Sequence, residues 1–364
     1  MFKSLNKKIA AGLTATALGF SLTTFSPAAV EAAIDWGGAA GAIIGGVASY
    51  SQINQQIKTF NETEEGRTAL MGQFQEKYGV NEDPTLNARL DKIMTNLTNA
   101  VAKIDSSIND KPYKYFVSAD KSLNAACSLG HVMMVNTGAF DYLATDDEIA
   151  AIVGHEMGHG QKDHVAKGNK KRINKLVVAQ LGVSAAGGGT LANVVGSVLV
   201  TNSVAHGDRK HETEADNLAW DYMLNTNYNI GACAAVMQRL AELYGEKSNS
   251  NFLNPSDHPD TGKRRDNYVK KLYEYSGKHA TAENGVVTIN GKEFMTVAAA
   301  NGMSSAERAY FVLGNLARAY HDGENKAEVT VYDGTIYLGN QTIVTPAADD
   351  EDVYALAERL GEIK

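Results

Sequence analysis

The sequence has few cysteines and, beyond its N-terminal segment, no long uninterrupted apolar run. Only two of its 364 residues are cysteine, Cys127 and Cys233. Neither lies in a recognisable nucleophile motif, which argues against a cysteine protease, and either a disulfide or two buried free thiols would fit an exported chain. Residues 176–204 are rich in Val, Leu, Ala and Gly, but polar residues interrupt them. They therefore lack the span of about 20 apolar residues that a transmembrane helix needs.

Positive charge is also scarce in this chain. Lys and Arg number 34 against 42 Asp and Glu, which gives a formal net charge of −8. An acidic chain is a poor nucleic-acid binder, so we expect no nucleic-acid partner. The one basic cluster, at 167–175, is typical of a solvated helix face. Peripheral membrane association through anionic lipid headgroups is the alternative for that cluster.

The first 32 residues have the pattern of a signal peptide. Three lysines in residues 1–8 precede a moderately apolar run, 9–25, and small residues at 30–32 would allow cleavage before Ala33. The apolar run is short and contains several Ser and Thr residues, which favours cleavage over an uncleaved membrane anchor. No cysteine follows the run, which argues against a lipoprotein anchor. We therefore expect an exported protein of the periplasm or cell envelope.

The sequence His155-Glu156-x-x-His159 predicts a catalytic zinc site on a helix. Thr145 and Glu148 form a capping-box pattern where that helix would begin, and an apolar stripe follows. Two imidazoles four residues apart lie on one helical face, within reach of a single zinc ion. Glu156 lies beside them, where its carboxylate can take a proton from a water that the metal binds. The alternative is a pair of histidines on a solvated helix face.

A catalytic zinc site of this kind needs a third protein ligand. The extended form of the motif would place a histidine where this chain has Val165, so that arrangement is excluded. Glu212 is a better candidate, because it lies at the start of a second helix that carries Asp216 one turn later. Asp216 could then orient a ligand histidine through a hydrogen bond. Glu214 points to another face of that helix, so it ranks below Glu212 as a ligand.

The order of these motifs, H-E-x-x-H followed by E-x-x-x-D, resembles the zinc metallopeptidase family that includes the CAAX prenyl proteases, HtpX and BepA. Other blocks of the family have counterparts at 78–84, 123–125, 130–138 and 256–260, with Arg264 behind the last. The resemblance covers about residues 70–270. It implies an α+β fold with a mainly helical, zincin-like (gluzincin) peptidase domain and a small sheet. It also implies zinc-dependent endopeptidase activity with one Zn2+ per chain, bound by His155, His159 and Glu212.

The same resemblance assigns further residues to the site. A strand would form the edge beside the zinc, where a substrate could add as an extended strand. The residues of that strand are Val132, Met133, Met134, Val135 and Asn136. A plain internal strand is the alternative.

Two residues downstream are candidates for contact with the reaction. His258 and Arg264 could stabilise the oxyanion of the tetrahedral intermediate, or cover the zinc in a resting state. The alternative for His258 is an ordinary loop histidine. By resemblance to exported family members, the expected substrates are unfolded or misassembled envelope proteins.

Residues 280–364 differ in character from the predicted peptidase domain, 33–277. Asn290-Gly291 and Asp333-Gly334 each separate two short β patterns, which predicts two hairpins. A helix follows each hairpin, one capped by Ser304 and one over 350–363. We therefore expect a small C-terminal α+β accessory domain of two hairpin–helix units, an arrangement that suggests an internal duplication. It carries no catalytic cluster, and a docking role for it rests on its position alone.

Two other functions remain open from the sequence. One is a chaperone or substrate-binding module on the same fold, with silent or gated proteolysis. Glu156 argues against it, because a pure binder has no need of a general base. The other is a zinc hydrolase that acts on bonds other than peptide bonds, which a closed deep pocket would favour over an open groove.

Overall fold

The computed structural model describes residues 54–55, 57–171, 209–246 and 261–364. The predicted signal peptide, the interrupted apolar region 176–204, part of the basic cluster and His258 lie outside these described residues. Almost all of the described residues belong to one compact unit, formed by 56–168 and 207–364. None of the helices described is long and apolar enough to cross a membrane.

Most of the described residues that precede residue 280 are helical. Among their helices are α1 (Glu64–Tyr78), α2 (Pro84–Ala102), α3 (Thr137–Tyr142), α4 (Asp146–Gln161), α5 (Arg209–Leu224), α6 (Ala232–Tyr244) and α7 (Thr261–Tyr275). Polar side chains mark where the first two begin: Thr63 accepts a hydrogen bond from the first turn of α1, and Asp83 from that of α2. These caps satisfy N–H groups that have no partner inside a helix.

A three-stranded sheet lies among these helices. Its strands are β1 (Lys114–Ser118), β2 (Ala125–Cys127) and β3 (Val132–Asn136), in the order β1-β3-β2. β3 pairs in parallel with β1 and antiparallel with β2, and all five of its residues are buried. The predicted strand is present, but its expected position at the edge is wrong, because its main chain is paired on both sides. A near-continuous apolar run is typical of such a doubly buried strand.

α4, which carries the H-E-x-x-H sequence, begins as the sequence predicts. Thr145 Oγ1 accepts from the N–H of Glu148, and the Glu148 carboxylate accepts from the N–H of Thr145. Burial extends well beyond the predicted apolar stripe, because α5, α6, α2 and β2 all pack against α4. α4 is therefore a central helix of this region.

α4 and α5 approach each other closely through small residues. A Cβ added at Gly158 would lie 3.1 Å from both Cα and the carbonyl oxygen of Ala215. One turn away, a Cβ at Gly154 would lie 3.8 Å from Cα of Ala219. Because glycine has no side chain, the two backbones can come this near. The close crossing brings the motif on α4 next to Glu212 on α5.

The C-terminal residues form two copies of a three-stranded sheet followed by a helix. The first copy contains β4 (Ala280–Glu283), β5 (Val286–Ile289), β6 (Lys292–Thr296) and α8 (Ser305–His321). The second copy contains β7 (Val329–Tyr332), β8 (Thr335–Leu338), β9 (Gln341–Val344) and α9 (Val353–Ile363). Both predicted hairpins and both predicted helices are present, and each sheet has one strand more than the sequence predicts.

The two copies agree in detail at an offset of 49 residues, the separation between Ala280 and Val329 at the starts of β4 and β7. At this offset the β-bulge at 287–288 coincides with the one at 336–337. The turns at 284–285 and 333–334 also coincide, and their residues have the left-handed backbone of two-residue hairpins. These matches support the predicted internal duplication.

Each helix of the duplicated region packs on both sheets. α8 contacts β4 and β5 of its own copy and β9 of the other, while α9 contacts β7 and β8 of its own copy and β6 of the other. Asn315 Nδ2 on α8 donates to the carbonyl of Ile343 at 2.9 Å. Arg359 Nη1 on α9 donates to the carbonyl of Phe294, also at 2.9 Å. The third strand of each sheet thus accepts a hydrogen bond from the helix of the other copy.

The hydrophobic core does not stop at the predicted domain boundary. One cluster of buried apolar residues extends from Leu90 on α2 to Ile363 on α9. α8 packs directly against α6 and α7. The division at 277–280 stays a prediction, but the core is continuous across it.

Candidate metal centre

Three side chains from α4 and α5 converge on one point. Nε2 of His155 and Nε2 of His159 are 3.1 Å apart. The Glu212 carboxylate faces both rings, with Oε2 3.4 Å from His155 Nε2 and Oε1 3.3 Å from His159 Nε2. The structure therefore brings together the three residues that the sequence pattern selects as ligands.

These separations fit a tetrahedral zinc ion. With metal–ligand bonds of about 2.0–2.1 Å, two ligands of such an ion lie about 3.4 Å apart. The three separations of 3.1, 3.3 and 3.4 Å are close to that value. Two imidazole nitrogens and a carboxylate are also ligands that zinc accepts in proteins. The residues are thus suitable for holding one Zn2+.

His155 is held from behind by a buried ion pair. Asp216 Oδ1 lies 2.9 Å from His155 Nδ1, so the carboxylate accepts the Nδ1 proton and Nε2 faces the cluster. Arg264 binds Asp216 through two hydrogen bonds, Nε to Oδ2 at 2.9 Å and Nη2 to Oδ1 at 2.6 Å. The Tyr268 hydroxyl donates to Oδ1 of Asp216 at 3.1 Å. Asp216 therefore has the orienting position that the sequence predicts for it.

The charges around His155 favour a cation at this place. Burial raises the pKa of Asp216, but Arg264 and His155 outweigh it and hold that pKa well below its usual range. Burial and Arg264 lower the pKa of His155, but hydrogen bonds to Asp216 and Glu212 outweigh them and raise it to about 9. The two carboxylates thus stabilise positive charge beside His155. Either a proton or a metal ion can supply that charge.

His159 is held from behind by a second histidine, His164. The two Nδ1 atoms are 2.9 Å apart, and Nε2 of His164 lies 3.1 Å from Oε2 of Glu214. His164 is 5% exposed, and its ring stacks on that of His211 with centroids 4.1 Å apart. Burial, followed by the neighbouring His159, lowers the pKa of His164 to about 4, so its ring is neutral at pH 7.

The sequence analysis does not identify His164 as part of the site. α4 ends at Gln161, and the chain turns through Asp163, whose φ is 50°. Because helical spacing does not extend across such a turn, the position of His164 beside His159 could not be read from periodicity. Glu214 does point away from Glu212, as expected, and the face it occupies is the one that meets His164.

Glu156 lies beside the cluster and is fixed by the main chain of the sheet. It is 8% exposed, and its Oε2 accepts a hydrogen bond from the N–H of Cys127 at 2.9 Å. Cys127 belongs to β2, the edge strand that runs next to α4. α4 can lie this close to β2 because residue 160 is glycine. A Cβ there would lie 3.0 Å from Cys127 Sγ and 2.4 Å from the Tyr113 hydroxyl. Both Cys127 and Cys233 are buried free thiols.

Arg264 does not have the position expected for contact with a substrate. Its guanidinium lies on the Nδ1 side of His155, with Nη2 3.3 Å from that atom. The Nε2 atom that meets the other ligands is on the opposite side of the ring. In this position Arg264 binds Asp216, and its expected oxyanion-binding or zinc-covering role stays a prediction. His258 lies outside the described residues, so its expected role stays a prediction.

Known proteins with similar sequences are proteases. Residues 84–271 match the sequence model of peptidase family M48, and this range contains both motif helices. Metalloprotease LoiP of Escherichia coli is 29% identical over 184 residues, which cover 49% of this chain and 69% of that protein. A putative beta-barrel assembly-enhancing protease of Vibrio cholerae is 21% identical over 193 residues, 48% of this chain and 37% of that protein. Mitochondrial metalloendopeptidase OMA1 of Arabidopsis thaliana is 28% identical over 157 residues, 42% of this chain and 30% of that protein.

Proposed function

Because the chain belongs to peptidase family M48, a family of metalloproteases, we propose that it is an exported zinc endopeptidase of the gluzincin type. The observation that carries the proposal is the meeting of His155, His159 and Glu212 next to Glu156. Three protein ligands are typical of a catalytic zinc site, whereas structural sites use four. Glu156 adds the base that hydrolysis requires.

The reaction proposed is peptide-bond hydrolysis. Zinc held by the three ligands would act as a Lewis acid that polarises the scissile carbonyl and acidifies water. Glu156 takes the proton of the attacking water and later delivers it to the leaving amine. Because the N–H of Cys127 holds Oε2 of that carboxylate, Oε1 is the atom that exchanges the proton. Asp216 and Arg264 keep the His155 ring in its binding orientation.

The substrate we propose is an extended polypeptide that adds to the edge of β2. Ser128 donates to the carbonyl of Val132, and Asn136 donates to that of Asn124, so residues 125 and 127 direct their main-chain groups away from β3. Because the N–H of Cys127 already donates to Glu156, the N–H of Ala125 is the donor that we assign to a substrate. A chain bound along this edge would pass beside Glu156. Recognition through main-chain hydrogen bonds makes little demand on side chains, which suits a protease with many unfolded substrates.

The proposed substrates are misfolded or misassembled proteins of the cell envelope. The signal-peptide pattern of residues 1–32 supports export. The printed name of the Vibrio relative refers to beta-barrel assembly, although this chain covers only 37% of that protein. Peripheral membrane association through the basic cluster at 167–175 is part of the same proposal.

The decisive experiment compares the purified wild-type protein with Glu156→Gln. Bound zinc is measured by elemental analysis, and activity by degradation of casein. We expect about one zinc in both proteins and cleavage by the wild type alone. Glu358→Gln, an exposed glutamate on α9, is the matched control and should behave as wild type.

The other outcomes separate the alternatives. If both proteins bind zinc and neither cleaves casein, a substrate-binding chaperone becomes the better assignment. If neither protein holds metal, the interpretation of the ligand cluster is wrong.

A further inference from the structure

We propose that His164 and Glu214 form a second positioning pair, which orients His159 for metal binding as Asp216 and Arg264 orient His155. The inference rests on the proposed function, because it concerns the orientation of a metal ligand. His164 reaches His159 through Nδ1, the nitrogen turned away from the cluster, and neither His164 nor Glu214 belongs to the group of side chains that could hold one ion.

The direction of each hydrogen bond follows from the chemistry of Glu214. A carboxylate only accepts, so Nε2 of His164 must donate to it across 3.1 Å. A neutral imidazole carries one N–H, so Nδ1 of His164 then holds a lone pair. That lone pair accepts the Nδ1 proton of His159 across 2.9 Å. Nε2 of His159 is therefore left with the lone pair that faces the ligand cluster.

The opposite tautomer would prevent metal binding. If His164 donated from Nδ1, the Nδ1 of His159 would have to accept, and its Nε2 would carry a proton. That proton would point towards His155 and Glu212, where the metal belongs. Glu214 thus selects the tautomer of His164, and His164 selects the tautomer of His159.

With both histidines oriented in this way, electron-rich atoms meet at the centre. In the protonation state that binds metal, both Nε2 atoms carry lone pairs, which face each other at 3.1 Å next to both oxygens of Glu212. Such atoms repel one another unless a cation lies between them. Fixing both rings before the metal arrives lowers the entropic cost of binding it.

The members of the second pair differ in exposure. The side chain of His164 is 4% exposed, whereas that of Glu214 is 48% exposed. Water can take over part of the role of an exposed carboxylate but not that of a buried ring. We therefore expect a larger effect from replacing His164 than from replacing Glu214.

The test replaces His164 by leucine and by asparagine. Leucine removes the acceptor, whereas asparagine places an amide oxygen near the position of Nδ1. We expect His164→Leu to lower zinc affinity by about 10–100-fold, measured by competition with a chromophoric chelator. His164→Asn should recover most of that loss, and Glu214→Ala should show a smaller one. His279→Leu, at an exposed histidine just before β4, is the control and should bind zinc as wild type does.

A spectroscopic measurement separates positioning from folding. The d–d bands of the cobalt-substituted protein report the geometry of the ligands, so His164→Leu should shift them. The unfolding temperature of the metal-free variant should stay close to that of the metal-free wild type. Wild-type zinc affinity and cobalt bands in His164→Leu would overturn the inference. A loss of affinity that appears only together with unfolding of the metal-free protein would also overturn it.

Failure of the proposed function gives a different result. A wild-type protein that binds zinc but degrades no casein refutes the peptidase and leaves the positioning pair intact, if His164→Leu still weakens zinc binding. A wild-type protein that binds no zinc refutes both.

Discussion

At the residue scale, the ion pair behind His155 determines what a single substitution does. The side chains of Asp216 and Arg264 are 14% and 5% exposed, so each charge depends on the other for its solvation. Removing one partner of a buried pair leaves an uncompensated charge, which costs about 3–5 kcal/mol. The same carboxylate also accepts from a metal ligand, so its loss should affect both folding and metal binding.

We therefore expect Asp216→Asn to have two effects. It should lower the stability of the metal-free protein by about 3–5 kcal/mol in urea unfolding. It should also lower zinc affinity by about 10–100-fold, because His155 loses its charged acceptor. Both are measured on the same preparation, by urea titration and by chelator competition.

A second substitution separates the two effects. Adding Arg264→Met to Asp216→Asn removes the unpaired guanidinium, so stability should recover while zinc affinity stays low. Recovery of both together would mean that the charge of Arg264, and not the loss of the carboxylate, disturbs His155.

The same scale shows which site residues a sequence can reveal. His155, Glu156 and His159 follow from helical spacing within α4, and Glu212 from its place at the start of a second helix. Arg264 was selected as a site residue, but its pairing with Asp216, 48 residues away in the chain, was not predicted. Such a pairing depends on the packing of helices and not on any local pattern.

At the element scale, the crossing of α4 and α5 sets the distance between the histidines and Glu212. We expect Gly158→Val to push α5 away, because even a Cβ would lie 3.1 Å from the backbone of Ala215. Overpacking of this kind costs about 1–3 kcal/mol, and zinc affinity should fall as well because Glu212 moves with its helix. Thermal unfolding and chelator competition measure the two losses.

A glycine in open space provides the control. A Cβ at Gly72 on α1 would meet nothing within 4 Å, so Gly72→Ala should raise stability by about 0.5–1 kcal/mol and leave zinc affinity unchanged. If Gly158→Val binds zinc as wild type does, the crossing tolerates displacement and the argument from close packing fails.

The edge strand β2 provides a second prediction at this scale. The N–H of residue 125 points away from β3, so Ala125→Pro should keep the sheet and zinc binding. It should lower casein cleavage by about tenfold, because one main-chain hydrogen bond to the substrate is worth about 1.4 kcal/mol. Ala126→Pro is the matched comparison, since residue 126 faces Met134 of β3 and its N–H is needed within the sheet. Full activity in Ala125→Pro would exclude strand addition at this edge.

The order of the strands in this sheet could not be predicted from the sequence. The residues of β2 are Ala125, Ala126 and Cys127, which are too few and too small to form a strand pattern. The apolar run of β3 is easily recognised, but its position between two neighbours depends on a strand that the pattern does not reveal.

At the scale of the whole molecule, the two C-terminal copies should unfold as one. Phe294 and Ile343 occupy equivalent buried positions in the third strands, each next to the helix of the other copy. We expect Phe294→Ala to cost about 3–5 kcal/mol and Ile343→Ala about 2–5 kcal/mol. Calorimetry should show a single transition in both variants, because the core continues into α6 and α7.

A neighbour on the same strand provides the control. Thr342 is exposed, so Thr342→Ala should change stability by no more than about 0.5 kcal/mol. If calorimetry resolves a separate transition for residues 280–364, the continuous core does not couple the regions, and the division at 277–280 gains support.

The duplicated region also shows how far local patterns predict architecture. Asn-Gly and Asp-Gly turns reveal one hairpin in each copy, because their backbone conformations are restricted. The strands that were not predicted are β4 and β9, and for β4 the Asn284-Gly285 turn is a local signal that could have revealed it. The exchange of helices between sheets follows from long-range packing, which no local pattern contains.

The reciprocal packing of α8 and α9 gives this region the organisation of a two-fold symmetric homodimer whose subunits are joined in one chain. In such a dimer the same surface patch serves both partners, so every contact occurs twice. The hydrogen bonds from Asn315 to Ile343 and from Arg359 to Phe294 reach equivalent acceptors, although their donors are not at equivalent positions. Selection on the helix of one half therefore acts on the sheet of the other. Outside the shared interface the halves are free to diverge, as exposed Glu283 and Tyr332 at equivalent positions have done.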